Sequence, residues 1–191
     1  MARLNTTTYQ MRNYEYFTKF SEFVHNEPKT ILHIGPGGIL KAFAPMIGPG
    51  FFGRLVKIFE QMLRRIPYFE IESFEPFEIY EIFEKYNPEL TVVDIHDRVL
   101  DSIIKKNNNQ KNIKVKNVNI AEAPFPNKKF DVVICVAVIN WETQPYKAMI
   151  DNVIQSVEVG GYLFLTTNFT EYVESHTNLE KLDKDTYKRI S

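Results

Sequence analysis

Short apolar runs alternate along this chain with longer stretches whose apolar residues recur at helical spacing. Five runs, at 30–34, 90–94, 113–118, 130–136 and 162–167, have the length and β-branched content of core strands. The fourth, F-D-V-V-I-C-V, is apolar apart from Asp131, as expected of a strand buried on both faces of a parallel sheet. Between the runs the pattern predicts helices. Residues 6–25 carry Tyr9, Tyr16, Phe17, Phe20 and Phe23 at roughly helical spacing. Thr6, Thr7 or Thr8 would cap this helix, and Asn26, Glu27 and Pro28 would end it. Gly48-Pro49-Gly50 breaks the long stretch between the first two strands. Beyond that break, Arg54 to Ile66 places Leu55, Ile58, Phe59, Met62 and Ile66 on one face, and Pro67 follows. Pro76 to Tyr86 is a second helix, with Pro76 suited to its first turn. Asp97 would cap a helix from Arg98 to Lys105, and another runs from Tyr146 to Val157. The residues after Asn168 are polar, with a weak last helix near Glu180 to Ile190.

Strands alternating with helices predict an α/β chain with a doubly wound, mostly parallel sheet. The whole chain, 1–191, reads as one domain: an N-terminal helix within 1–28, an extended helical insert at 39–89 and a polar tail at 169–191. The tail after the fifth run is short. A shortened C-terminus is therefore expected, with a sheet of five strands or one short addition. Right-handed crossovers put all strand C-termini on one edge, where ligands bind.

The 191 residues are 44% hydrophobic with net charge −1, enough for a real core and without a basic field calling for nucleic acid. The lone Cys135 sits in an apolar run and reads as a core thiol. No run approaches the ~20 apolar residues of a membrane span, and the first residues lack a signal-peptide core. A cytoplasmic protein is the expectation. Phe51, Phe52, Tyr68, Phe69, Phe74 and Phe77 make the insert aromatic-rich. Core packing, a lid over a small-molecule substrate and a homodimer surface are its three readings.

Chemistry concentrates at two strand ends. I-L-H-I-G-P-G-G runs from the first strand into a glycine turn, and L-T-V-V-D-I ends the second strand on Asp94. Glycine admits a ligand close to the backbone, and a carboxylate at a strand end can bind two ribose hydroxyls. A dinucleotide fingerprint needs a third glycine where this chain has Leu40, and an acid ~20 residues on rather than at Asp94. A nicotinamide-dependent oxidoreductase is accordingly the lesser reading.

The pattern over about residues 29–168 resembles the class I S-adenosylmethionine-dependent methyltransferases. N-I-A-E-A-P-F-P-N-K-K-F-D-V-V-I-C resembles the family's loop and fourth strand, and V-G-G-Y-L-F-L-T-T its fifth. The resemblance implies a Rossmann-like fold and S-adenosyl-L-methionine as cofactor. It places Gly35, Pro36 and Gly37 against the methionine and ribose, Asp94 on the ribose hydroxyls and Ile95 on the adenine. Asn119 would face the adenine amino group and Ile120 would offer its backbone amide. Val136 and Ala137 would face the methionine chain. His33 stands where the family has an acid for the ammonium group, and Ile39 where it often has another glycine. Asn140 and Trp141 fall in the region of the acceptor pocket. No catalytic base is evident. A methyltransferase-like binding or scaffold protein without efficient catalysis is the alternative.

Overall fold

The computed structural model describes residues 18–25, 27–36, 76–107, 112–125, 128–139 and 145–191. Strands β1 (Thr30–Ile34), β2 (Glu89–Asp94), β3 (Ile113–Asn117), β4 (Phe130–Ile139) and β5 (Val157–Thr167) pair in parallel. Two more, β6 (Leu179–Asp183) and β7 (Thr186–Arg189), complete a sheet ordered β3-β2-β1-β4-β5-β7-β6. Strand β7 runs antiparallel to both neighbours. Helices α1 (Pro76–Phe83), α2 (Asp97–Asn107), α3 (Tyr146–Gln155) and the short α4 (Thr170–Glu174) lie between the strands. Residues 18–23 are also helical.

Strand alternation sends successive side chains to opposite faces, and each face is covered. On one, Leu32, Ile34, Val133, Cys135, Leu163 and Leu165 pack against Met149, Ile150, Val153 and Ile154 of α3. On the other, Ile31, Leu90, Val92, Val132 and Ile134 meet Ile79 and Phe83 of α1, Val99 and Ile103 of α2, and Phe20. The Phe20 and Phe164 rings are 5.2 Å apart. Each fully buried side chain of this size stabilises the fold by about 1.5–3 kcal/mol. At the strand N-termini, Asp131 Oδ2 accepts the Lys29 and Thr30 amides at 2.9 and 2.8 Å and the Thr30 hydroxyl at 2.9 Å. This fastens the entry of β1 to β4.

The expected helix at 76–86 is α1 continued by a 3-10 turn, Glu84–Tyr86, and it stops at Asn87, where φ is +46°. Of the N-terminal helix, only its last part falls among the described residues. The Arg54–Ile66 helix and most of the 39–89 insert lie outside them. Asp97 lies in the first turn of α2, and its carboxylate accepts the Asn117 side-chain amide at 2.5 Å.

The C-terminal expectation is corrected. No helix spans Glu180 to Ile190, and the sheet does not end at five strands. The polar stretch forms the hairpin β6–β7, with Tyr187 only 2% exposed and paired with Leu163 and Lys181. Leu163 supplies the apolar surface that draws the hairpin in. The chain after β5 is short, yet α4 and both strands fit, because α4 is a single helical turn and the hairpin loop spans just Lys184 and Asp185.

Candidate functional site

The parallel topology brings the C-terminal ends of β1, β2 and β4 side by side. Ile34 pairs with Val93 and with Cys135, so Gly35 continues β1 between Asp94 and Val136. The Gly35 amide donates to the Val93 carbonyl at 2.8 Å, and its φ of +65° turns the chain there. A β-carbon at this residue would lie 2.4 Å from a Val138 methyl. The turn therefore demands glycine on two counts, conformation and space. Pro36 follows and is buried.

Asp94 closes β2 and is 7% exposed. Its Oδ1 accepts the His96 amide at 2.8 Å, which bends the chain sharply after the strand. Between them Ile95 is 55% exposed, although it is large and apolar. The Asp94 carbonyl takes the Val118 amide at 3.2 Å, which leads β3 into the Asn119 turn. Asn119 is exposed, and its side chain works within that turn: Oδ1 accepts the Ala121 amide at 3.1 Å and Nδ2 donates to Glu122 at 2.9 Å. Ile120 is buried, and its carbonyl accepts the Asn152 side-chain amide of α3 at 2.8 Å. Val136 is 4% exposed, and Ala137 continues β4.

His33 is 1% exposed. Strand alternation puts it on the face of Ile31 and opposite that of Leu32 and Ile34, within the sheet layer rather than beyond its edge. Gly37, Asn140 and Trp141 lie outside the described residues. The structure thus brings Gly35, Pro36, Asp94, Ile95, Asn119, Ile120, Val136 and Ala137 to one edge. Sequence reading missed Val138, Glu122 and an aromatic group beside the same edge. In that group Tyr146 stacks on Phe169 with ring centres 3.8 Å apart, and Tyr172 meets Tyr146 edge-on at 6.1 Å. The available signal was an aromatic residue directly after a strand end. Among the described residues, no group of His, Cys, Asp or Glu is arranged to hold a metal ion.

A glycine turn, an acid closing the neighbouring strand and an exposed aliphatic beside it thus share one edge of a mostly parallel sheet. Residues 78–165 match the methyltransferase domain family. This span is a little under half of the chain and runs from α1 into β5. The N-methyltransferase NodS from Bradyrhizobium japonicum WM9 has a similar fold, with 13% identity, 96% of each chain covered and a TM-score of 0.51. The same protein in complex with S-adenosyl-L-homocysteine aligns with 15% identity over 85% of this chain and 63% of its own, TM-score 0.46. Coclaurine N-methyltransferase bound to N-methylheliamine and S-adenosylhomocysteine aligns with 12% identity over 85% of this chain and 38% of its own, TM-score 0.49. This chain thus spans less than two thirds of the length of those two. No curated protein sequence matches it.

Proposed function

We propose that the chain transfers a methyl group from S-adenosyl-L-methionine to a small-molecule acceptor. The observation that carries this reading is the pairing of nearly buried Asp94 with exposed Ile95 beside the Gly35 turn. A carboxylate there suits a vicinal diol, and the bare aliphatic suits the face of a purine. Gly35 suits such a turn through its left-handed backbone, while Val138 occupies the side on which a β-carbon would stand.

Gly35, Pro36 and Gly37 would lie along the methionine and ribose, and Asp94 would hold both ribose hydroxyls. Ile95 would cover the adenine. Asn119, with Glu122 as its side-chain partner, would face the exocyclic amine, and the Ile120 amide a ring nitrogen. Val136 and Ala137 would border the methionine chain, with His33 behind them. Asn140 and Trp141 would border the acceptor. When bound, the cofactor supplies a methyl group already activated by a sulfonium charge. The chain's own residues then have three tasks: bind, align the acceptor in line with the methyl carbon, and exclude water. An acceptor amine that arrives neutral needs no dedicated base.

Calorimetry with S-adenosyl-L-methionine and S-adenosyl-L-homocysteine tests the reading. Binding of both is expected, followed by S-adenosylhomocysteine release when small amines and hydroxyl compounds are supplied. No binding of either at millimolar concentration overturns it. Binding without turnover across the panel supports the scaffold alternative. No helix among the described residues is long and apolar enough to cross a membrane.

A further inference from the structure

Beside the proposed site, two polar groups meet at one carboxylate oxygen. Asp151 Oδ1, on α3, lies 2.9 Å from Nε2 of His176 and accepts the Tyr172 hydroxyl at 2.9 Å. The other ring nitrogen, Nδ1, lies 2.9 Å from the Tyr172 carbonyl and 3.2 Å from that of Val173, closing the end of α4. A carbonyl can only accept, so Nδ1 carries a hydrogen. An ionised carboxylate can only accept, so Nε2 carries one too. A neutral imidazole has a single N–H and serves one side; the imidazolium serves both. The contacts on the two ring nitrogens are ones that an imidazolium satisfies together.

The surrounding charges agree. From α3 the ring meets the Asp151 carboxylate, and the Lys147 ammonium stands 5.3 Å from the Tyr172 ring centre. On its own side the Tyr172 ring lies edge-on at 5.0 Å. Glu174 is engaged by Lys181 of β6 at 2.5 Å. Burial and the Asp151 carboxylate push the Tyr172 hydroxyl above its ordinary range, so it stays a donor to Asp151.

We propose that His176 is a pH-sensitive clip that, as an imidazolium, tightens the hold of α4 on α3 beside the Tyr172–Asp151 bond and loosens it when the ring loses a proton. The clip bears on the ligand edge, because α4 begins directly after Phe169, whose ring stacks on Tyr146. Tightened, it steadies that aromatic pair; loosened, it lets the pair move. This influence on the site rests on the methyltransferase reading. The clip itself does not.

The test is amide hydrogen exchange of residues 168–178 from about pH 5.5 to 8.5, corrected for intrinsic exchange. Protection is expected to fall roughly tenfold as the ring titrates, the scale of one charge-assisted hydrogen bond. His176→Gln and Asp151→Asn should show the lower protection at every pH. Nitrogen NMR of the wild-type ring at the acidic end should find both nitrogens protonated, and this decides the matter even if a variant fails to fold. Protection independent of pH in the wild type, or a neutral ring at pH 5.5, overturns the proposal. Calorimetry with S-adenosyl-L-homocysteine on the same samples reads the other premise separately. Failure to bind at any pH removes the methyltransferase reading and the clip's role at the site, while the exchange result still judges the clip.

Discussion

Gly35 adopts a left-handed backbone and leaves no room for a β-carbon, with Val138 2.4 Å from where one would sit. Gly35→Ala therefore combines strain with overpacking and should destabilise the fold by about 1–3 kcal/mol in urea unfolding. An alanine variant as stable as the parent would show that the turn relaxes freely. Asp94 is bound to its own turn through Oδ1 and closes β2 at the proposed ribose position. Asp94→Ala should weaken S-adenosyl-L-homocysteine binding by about 1.5–3 kcal/mol, a hydrogen bond to a charged group, or roughly 10- to 150-fold. Circular dichroism melts of the same variant separate loss of the turn from loss of the ligand. Unchanged affinity would exclude Asp94 from the ribose. Both residues were legible in the sequence because each has a backbone reason to be where it is. Asn119 was legible in two ways, adenine contact or turn former; its bonds to Ala121 and Glu122 display the turn. Val138 was not legible, because nothing local says that a valine will stand behind a glycine 103 residues away in a parallel strand.

At the scale of elements, the first five strands announced themselves, and β1, β2, β4 and β5 did so as apolar runs because they lie inside a sheet covered on both faces. The last two did not. Leu179 and Leu182, then Tyr187 and Ile190, are spaced three apart and imitate a helix, while Lys184-Asp185 lacks the glycine that usually marks a tight hairpin. What makes them strands is long-range, the pairing of β7 with the end of β5. The hairpin also steadies α3. Arg189 on β7 donates from Nη1 to the Val157 carbonyl at 2.7 Å and the Gln155 carbonyl at 3.3 Å, where α3 ends and β5 begins. Its guanidinium satisfies helix-end carbonyls and places a cation at the negative end of α3. Arg189→Ala should cost about 1–2 kcal/mol in chemical unfolding, with a smaller loss for Arg189→Lys, which keeps the charge but not the fork. Equal unfolding midpoints for all three proteins would show that water replaces the side chain without loss.

Across the whole molecule, ionisable groups set how stability varies with pH, and the two ends of the scale differ. On the acid side Glu89 is held below its ordinary value by the Lys114 and Lys128 ammoniums, so its contribution is present above about pH 4.5 and fades as pH falls. Those groups face solvent, so the effect is small and weakened by salt. The alkaline side is governed by the interior. Burial pushes the Cys135 thiol from 9.0 up to about 12, and the Tyr187 hydroxyl from 10.0 up to about 12. Above pH 9 the unfolded chain has shed the thiol proton that the folded chain still holds, and above pH 10 the hydroxyl proton as well. The unfolded state then binds fewer protons, so stability must fall as pH rises, first through the thiol and then through both groups. Urea unfolding at intervals from pH 7 to pH 11 should show a plateau and then a decline beginning near pH 9. Cys135→Ala separates the two groups. It should lower stability across the plateau by about 1–2 kcal/mol, through the small cavity it leaves. It should also delay the onset of the decline to near pH 10, where the Tyr187 and Tyr172 hydroxyls remain. A variant whose curve runs parallel to the parent's between pH 9 and 10 would rule out the buried thiol as the source and leave the alkaline limit to tyrosine.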